Sequence, residues 1–269
     1  MPQDKVIKIK HTSTKINLKT PGLSEILRSK YEKFNECYRA AYTGSRYEER
    51  DEYRLVIESV KELSLKPGGD KPQTYALIAY MLLKTARLRA IINNVAKMPD
   101  LKNQNRLLWD KGLTKDGLDY LSKSAGGNKV SEYHLRAGIC ACHALAKDYQ
   151  STDWGGILSL YDQYLEINDS FEIALERAHI ISQFKGPKAG IEALLKIDPK
   201  NNLDGSKVLN ANLAELYIKQ NQYNQAIDSL SKSHEFSETK KERTLYLNKI
   251  EFCKQRLSLS KKYQEVLSF

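Results

Sequence analysis

From about residue 23 to residue 263, apolar side chains return every three or four positions in nearly every segment, and no segment alternates with the period of two that a strand requires. A three-to-four-residue period places the apolar side chains on one stripe of a helix, and that stripe has to be buried against another helix. The fold class expected is therefore all-α, with helices near 23–42, 47–65, 72–93, 103–123, 130–148, 153–167, 170–184, 187–197, 206–220, 223–235 and 238–263. Turn signals fall between these stretches: Pro67-Gly68-Gly69, Met98-Pro99-Asp100, Gly126-Gly127-Asn128, Gly186-Pro187, Asp198-Pro199 and Asp204-Gly205. Ser151-Thr152-Asp153 and Asp169-Ser170 supply side chains suited to capping the helices that follow them.

The second half carries a repeat. In LNANLAELYIKQNQYNQAIDSLSKS, Leu213, Ala214, Tyr217, Ala226 and Leu230 fall at tetratricopeptide spacings. Small residues at Ala214 and Ala226 let two helices approach closely. The same step joins Ala178 to Gly190 one pair earlier, with Leu194 standing where Leu230 stands. The expected architecture is a right-handed stack of helix pairs, tetratricopeptide-like over 129–263, continuous with an N-terminal helical layer over 23–128. Residues 1–22 are rich in Lys and Thr and end in Pro-Gly, which suggests a basic arm or linker ahead of one elongated domain over 23–269. Stacks of this type commonly present a surface for protein partners.

Charge and cysteine content narrow the function. The formal net charge is +10. Eight Lys/Arg against three acids lie in residues 1–33, and eight against two in 239–262. Basic ends offer a route to nucleic acid, yet the arginine clusters and interleaved aromatics of base-stacking proteins are missing, so direct contact is expected only through those termini. No apolar run reaches membrane-spanning length and no signal-peptide core opens the sequence, which points to a cytoplasmic protein. Cys37, Cys140, Cys142 and Cys253 are then expected as buried free thiols. Cys140-Ala141-Cys142-His143 lacks the two-residue gap and second ligand pair of a zinc site, and its thiols point about 200° apart on a helix. Neither a metal nor another cofactor is expected. Cys37 has His134, His143 or His179 as conceivable bases, but no nucleophile elbow or phosphate loop accompanies any of them. No catalytic residue is assigned and the chain is read as non-enzymatic.

Several segments, in order, carry a family resemblance: YMLLKTARLRA, NQNRLLWDKGLTKDGLDYL, YHLRAGICACHALA, STDWGGILSLYDQYL and FEIALERAHIISQFKGPKAGIEALL, preceded by FNECY. Together they resemble the C-terminal, tetratricopeptide-like extension of a subgroup of extracytoplasmic-function RNA polymerase sigma factors. The resemblance spans about residues 23–235. The polymerase-gripping and promoter-reading domains of such proteins have no counterpart in the 22 residues that precede it. The acidic run of the family motif is Lys102-Asn103-Gln104-Asn105 here, the motif Asn before Arg177 is Glu176, and the motif Gly after Glu36 is Cys37. The resemblance implies a bacterial protein-interaction module that regulates transcription initiation by contacting a sigma factor or RNA polymerase. A binding groove formed by Arg87, Arg89, Gln104, Arg106, Trp109, Tyr133 and Arg177 is expected, with Asn35 and Glu36 as interhelical hydrogen-bonding residues. The alternative is a helical-repeat sensor of a small molecule or peptide that uses the same Arg/Trp/Tyr groove.

Overall fold

In the computed structural model, residues 21–43, 51–92, 101–199 and 203–267 are described, and every regular element among them is helical. The N-terminal layer comprises α1 (Leu23–Thr43), α2 (Glu52–Ser64), α3 (Pro72–Thr85), α4 (Leu88–Ile92) and α5 (Lys111–Ser124). After it come α6 (Glu132–Leu145), α7 (Trp154–Ile167), α8 (Phe171–Lys185), α9 (Pro187–Leu194), α10 (Leu203–Lys219), α11 (Tyr223–Glu235) and α12 (Lys240–Leu267). The arm proposed for 1–22 lies almost wholly outside the described residues, as do 47–50 of the second expected helix.

Local chemistry explains the boundaries. Pro72 and Pro187 occupy first-turn positions, where no intrahelical N–H bond is lost. Asp153 accepts from Gly156 N at 2.8 Å, and Ser170 accepts from Ile173 N at 3.2 Å, so the caps expected for α7 and α8 form.

Two expected helices are corrected. The segment 72–93 breaks after Thr85, because the Ala86 carbonyl is taken by Asp110 N at 2.9 Å from a different part of the chain. Residues 103–110 are not α-helical: two 3₁₀ turns, Leu101–Asn103 and Arg106–Leu108, precede α5. There Asn105 accepts from Leu107 N at 3.0 Å and Asp110 from Leu113 N at 2.9 Å. These short side-chain bonds compete with the helical ladder and delay it to Lys111.

The core is a chain of apolar clusters joined by shared helices. Phe34, Leu77, Ile78 and Met81 lie in the first, to which α6 adds Tyr133 and Ala137. From α6, Leu135 and Ile139 enter the next cluster with Trp154, Ile157, Tyr164 and Ile173. Helix α8 then contributes Ala178 to the third cluster, with Leu194 and Leu213. Finally α10 contributes Ala214 to the fourth, with Ala226, Leu230 and Cys253. Each linking helix buries two faces, which is how a stack of helix pairs propagates.

The small-residue steps sit where the pairs approach. Ala214 and Ala226 are fully buried in α10 and α11. A Cβ at Gly190 in α9 would come within 2.4 Å of Ser182 Cβ in α8 and 2.8 Å of Leu216 Cδ1 in α10. Gly117 in α5 plays the same part against α3, where a Cβ would come within 2.7 Å of Leu83 Cγ.

Candidate functional site

Three helices carry polar side chains at helical spacing beside the first core cluster, which Tyr38 and Tyr80 also join: Tyr31, Asn35 and Tyr38 on α1, Tyr80 and Lys84 on α3 with Arg87 in the turn just after it, and Glu132, Arg136, Cys140 and His143 on α6. The structure joins them in one seam. Asn35 Oδ1 accepts from the Tyr80 hydroxyl at 2.8 Å and from Lys84 Nζ at 2.6 Å, while its Nδ2 donates to the Tyr31 carbonyl at 2.9 Å. Lys84 Nζ also donates to Tyr80 Oη at 2.7 Å and lies 4.9 Å from the Tyr38 ring centroid. Burial pushes the Lys84 ammonium down to about 8.

Arg136 continues the seam toward α7. Its guanidinium stands over the rings of Tyr31 and Tyr164 at 5.2 and 4.9 Å, and its Nε donates to the Tyr164 hydroxyl at 2.6 Å. Tyr164 in turn donates to Glu132 at 3.0 Å, and Tyr161 donates to Glu176 of α8 at 3.2 Å. Burial raises the phenols of Tyr80, Tyr161 and Tyr164, so all three remain donors. Neither Lys84 nor Arg136 was picked out from sequence. The available signal was a lysine inside the apolar run YMLLKTARL, and a Glu-Arg-Cys stripe at four-residue steps in α6.

Of the expected groove residues, four converge. Arg87 Nε donates to Gln104 Oε1 at 3.2 Å, and the guanidiniums of Arg87 and Arg106 lie 5.2 and 4.6 Å from the Trp109 ring centroid. Arg106 also donates to the carbonyls of His143 and Ala146 at 2.7 and 2.8 Å and to Thr152 Oγ1 at 3.5 Å. It thereby satisfies carbonyls at the end of α6, where a cation is also favoured by the helix dipole. Burial lowers the pKa of both arginines from its ordinary value without threatening their charge.

The other three go elsewhere. Arg89 is exposed and lines a separate cleft, which shares only Trp109 with those four. Tyr133 is buried in the N-terminal core with its ring 5.7 Å from that of Tyr31, and burial pushes its phenol up to about 12. Arg177 pairs with Asp162 of α7 at 2.5 Å, beside a different cleft. Asn35 makes the interhelical bonds expected of it. Glu36 does not: it is exposed and pairs with Lys33 of its own helix at 3.3 Å. A helical residue next to an inward-pointing one is rotated by about 100°, which turns Glu36 outward.

Beside the seam lies a cavity of about 380 Å³ between α6, α7, α8 and the Leu101–Asn103 turn. Arg87, His143, Trp154 and Gln183 line it, with Lys102 and Lys219 at its rim. His143 is 7% exposed and stacks edge-on against Trp154 at 5.6 Å. Burial, reinforced by Arg87 and Arg106, lowers His143 to about 3, so its imidazole is neutral.

The cysteines do not assemble with histidines. Cys37 is buried and its thiol faces Glu52 Oε2 at 3.6 Å, while His134 accepts from Ser131 N at 3.1 Å at the start of α6. Burial raises the thiols of Cys37, Cys140, Cys142 and Cys253, which disfavours the nucleophilic thiolate at each. Among the described residues, no three His, Cys, Asp or Glu side chains converge in a metal-binding group, and no helix is long and apolar enough to cross a membrane.

Comparison with known proteins finds little that is characterized. Residues 23–125 match the model of DUF6596, a family of unknown function. An uncharacterized protein of Rhizobium meliloti (strain 1021) is 30% identical over 168 residues, which are 62% of this chain and 38% of that protein. The chain thus spans well under half the length of this relative. No solved structure matches.

Proposed function

We propose that the chain is a protein-interaction module related to the helical extensions of extracytoplasmic-function sigma factors, and that it regulates transcription initiation by binding a sigma factor or RNA polymerase in the cytoplasm. The observation that carries this is the charge of the polar face. Lys84, Arg87, Arg106 and Arg136 are each half-buried, and none forms an ion pair with a carboxylate among the described residues. Burial works against the charge of Lys84, Arg87 and Arg106, while the tyrosines and Glu176 around Arg136 favour its charge. Cations held by tyrosines, carbonyls and amides suit a surface that meets acidic groups of a partner.

Two facts support the reading. The sigma-factor resemblance begins at about residue 23 and the family-model match at residue 23, near the start of α1. The relative is longer than the shared region, as expected of a helical module joined to other segments. Of the expected groove, Arg87, Gln104 and Trp109 remain candidates for contact, Arg106 orders the end of α6, and Arg136 joins them.

The test is reconstitution with purified components. The chain is mixed with polymerase core and with candidate sigma factors, binding is measured by interferometry, and run-off transcription is followed alongside. Arg87→Ala and Arg136→Ala, checked for native helicity, are expected to weaken a specific complex. Absence of binding to every sigma factor and to the polymerase, with unchanged transcription, overturns the proposal.

A further inference from the structure

The cavity walled by α6, α7, α8 and the Leu101–Asn103 turn has a one-sided chemistry. Arg87 stands in its wall, Lys102 and Lys219 stand at its rim, and no carboxylate lines it among the described residues. Among the described residues Arg87 has no acidic partner: its Nε is held by Gln104 and its guanidinium lies 5.2 Å from the Trp109 ring centroid. Two lysines and an arginine around one hollow repel one another unless a negative charge enters.

A second observation is independent of the charges. His143 lines the cavity, is 93% buried by its 7% exposure, and its Nδ1 has no hydrogen-bond partner among the described residues. A buried polar atom without a partner is costly, and such atoms often mark where another group belongs. Gln183 is fixed by the Tyr149 hydroxyl, which donates to its Oε1, so its amide NH₂ is positioned as a donor. Trp154, Ile180 and Leu101 supply apolar surface to the remaining wall, beside Asn103, Tyr149 and His179.

From this arrangement we infer that the cavity is a binding site for a small organic anion: a phosphate or carboxylate group on a compact aromatic body. The anion sits against Arg87, Lys102 and Lys219, and the ring lies on Trp154. The volume, about 380 Å³, is in the range of small-molecule sites and too small for a folded partner element. This inference does not depend on contact with a sigma factor or polymerase, and its test uses the chain alone.

The two tryptophans of the chain, Trp109 and Trp154, both belong to this region, so intrinsic fluorescence reports it directly. The purified full chain is titrated with phenyl phosphate, with phenylacetate, and with benzyl alcohol as the uncharged control. The expected result is a saturable fluorescence change with at least one of the two anions and none with benzyl alcohol. The tighter of the two identifies the anion as phosphate or carboxylate.

The double variant Lys102→Met/Lys219→Met removes two exposed side chains that the fold does not need. It is expected to weaken anion binding by at least roughly tenfold with its melting temperature retained. Either single variant, expected to give a smaller loss, serves if the double variant is unstable. The inference is overturned by an absence of saturable response to both anions, by an equal response to benzyl alcohol, or by undiminished affinity in the lysine variants.

Discussion

Replacing Lys84 by Met should stabilise the protein near neutral pH, and the gain should fade as the solution is made alkaline. Burial lowers the Lys84 ammonium from its ordinary 10.5 to about 8. At about 1.4 kcal/mol per pH unit, holding that charge inside costs the fold roughly 3 kcal/mol below pH 8. Between about 8 and 10.5 the unfolded chain binds a proton that the folded chain has released, so stability rises with pH and the cost disappears. Met keeps most of the stem that packs on Tyr38 and Tyr80. The Tyr80 hydroxyl still donates to Asn35 Oδ1, so neither polar atom is orphaned. The lost amine bonds cost about 1 kcal/mol, leaving a net gain of roughly 2 kcal/mol near pH 7. The assay is urea unfolding followed by circular dichroism for both proteins at about pH 7 and pH 10. Buried thiols and tyrosines whose ionisation is suppressed lower stability over the same alkaline range, but they are common to both proteins and largely drop out of the difference. Parallel pH curves, or a Met variant less stable at pH 7, would refute the claim that Lys84 is a desolvated cation tolerated for a purpose other than stability.

Other expectations follow from single contacts. Gly190→Leu should lower stability by at least ~1–3 kcal/mol, measured by chemical denaturation, because its Cβ would collide with α8 backbone and with Leu216. Arg106→Ala should cost about 2–4 kcal/mol and depress the melting temperature, since it strips the guanidinium from the His143 and Ala146 carbonyls. Arg177→Ala should change stability by under ~1 kcal/mol and leave any binding at the cavity unaltered, because its pair with Asp162 is half-exposed and lies elsewhere.

Helix existence and pairing were legible because burial leaves a periodic trace. Ala178, Gly190, Ala214 and Ala226 advertise close approach by being small at fixed intervals, and the packing uses each of them that way. The segment 101–110 was not legible. Its apolar residues keep a helical period, but Asn105 and Asp110 turn their side chains onto nearby N–H groups, and Asp110 N–H pairs with Ala86. That last bond lies 24 positions away in sequence and leaves no local pattern.

The candidate site was half visible for a related reason. Arg87, Gln104, Arg106 and Trp109 stood out as arginines and an aromatic in recognisable motifs, whereas Arg177, equally prominent, turned to Asp162. A motif says which residue is present, not which face it takes. Position on the helix decides that: Tyr80, Lys84 and Arg87 follow one another at four- and three-residue steps, as do Glu132, Arg136, Cys140 and His143. An amphipathic helix in a layered stack has two neighbours, so it carries an apolar stripe and can carry a second, polar one that faces a shared surface. In α3 the two are nearly merged, with every residue from Ala76 to Leu83 buried, and Lys84, followed by Arg87 in the turn beyond the helix, is where the polar stripe becomes partly exposed. A lone cation inside an otherwise buried helix is therefore the sequence mark of the polar seam, and it leads to Lys84 and then, by contact through Tyr80 and Tyr31, to Arg136.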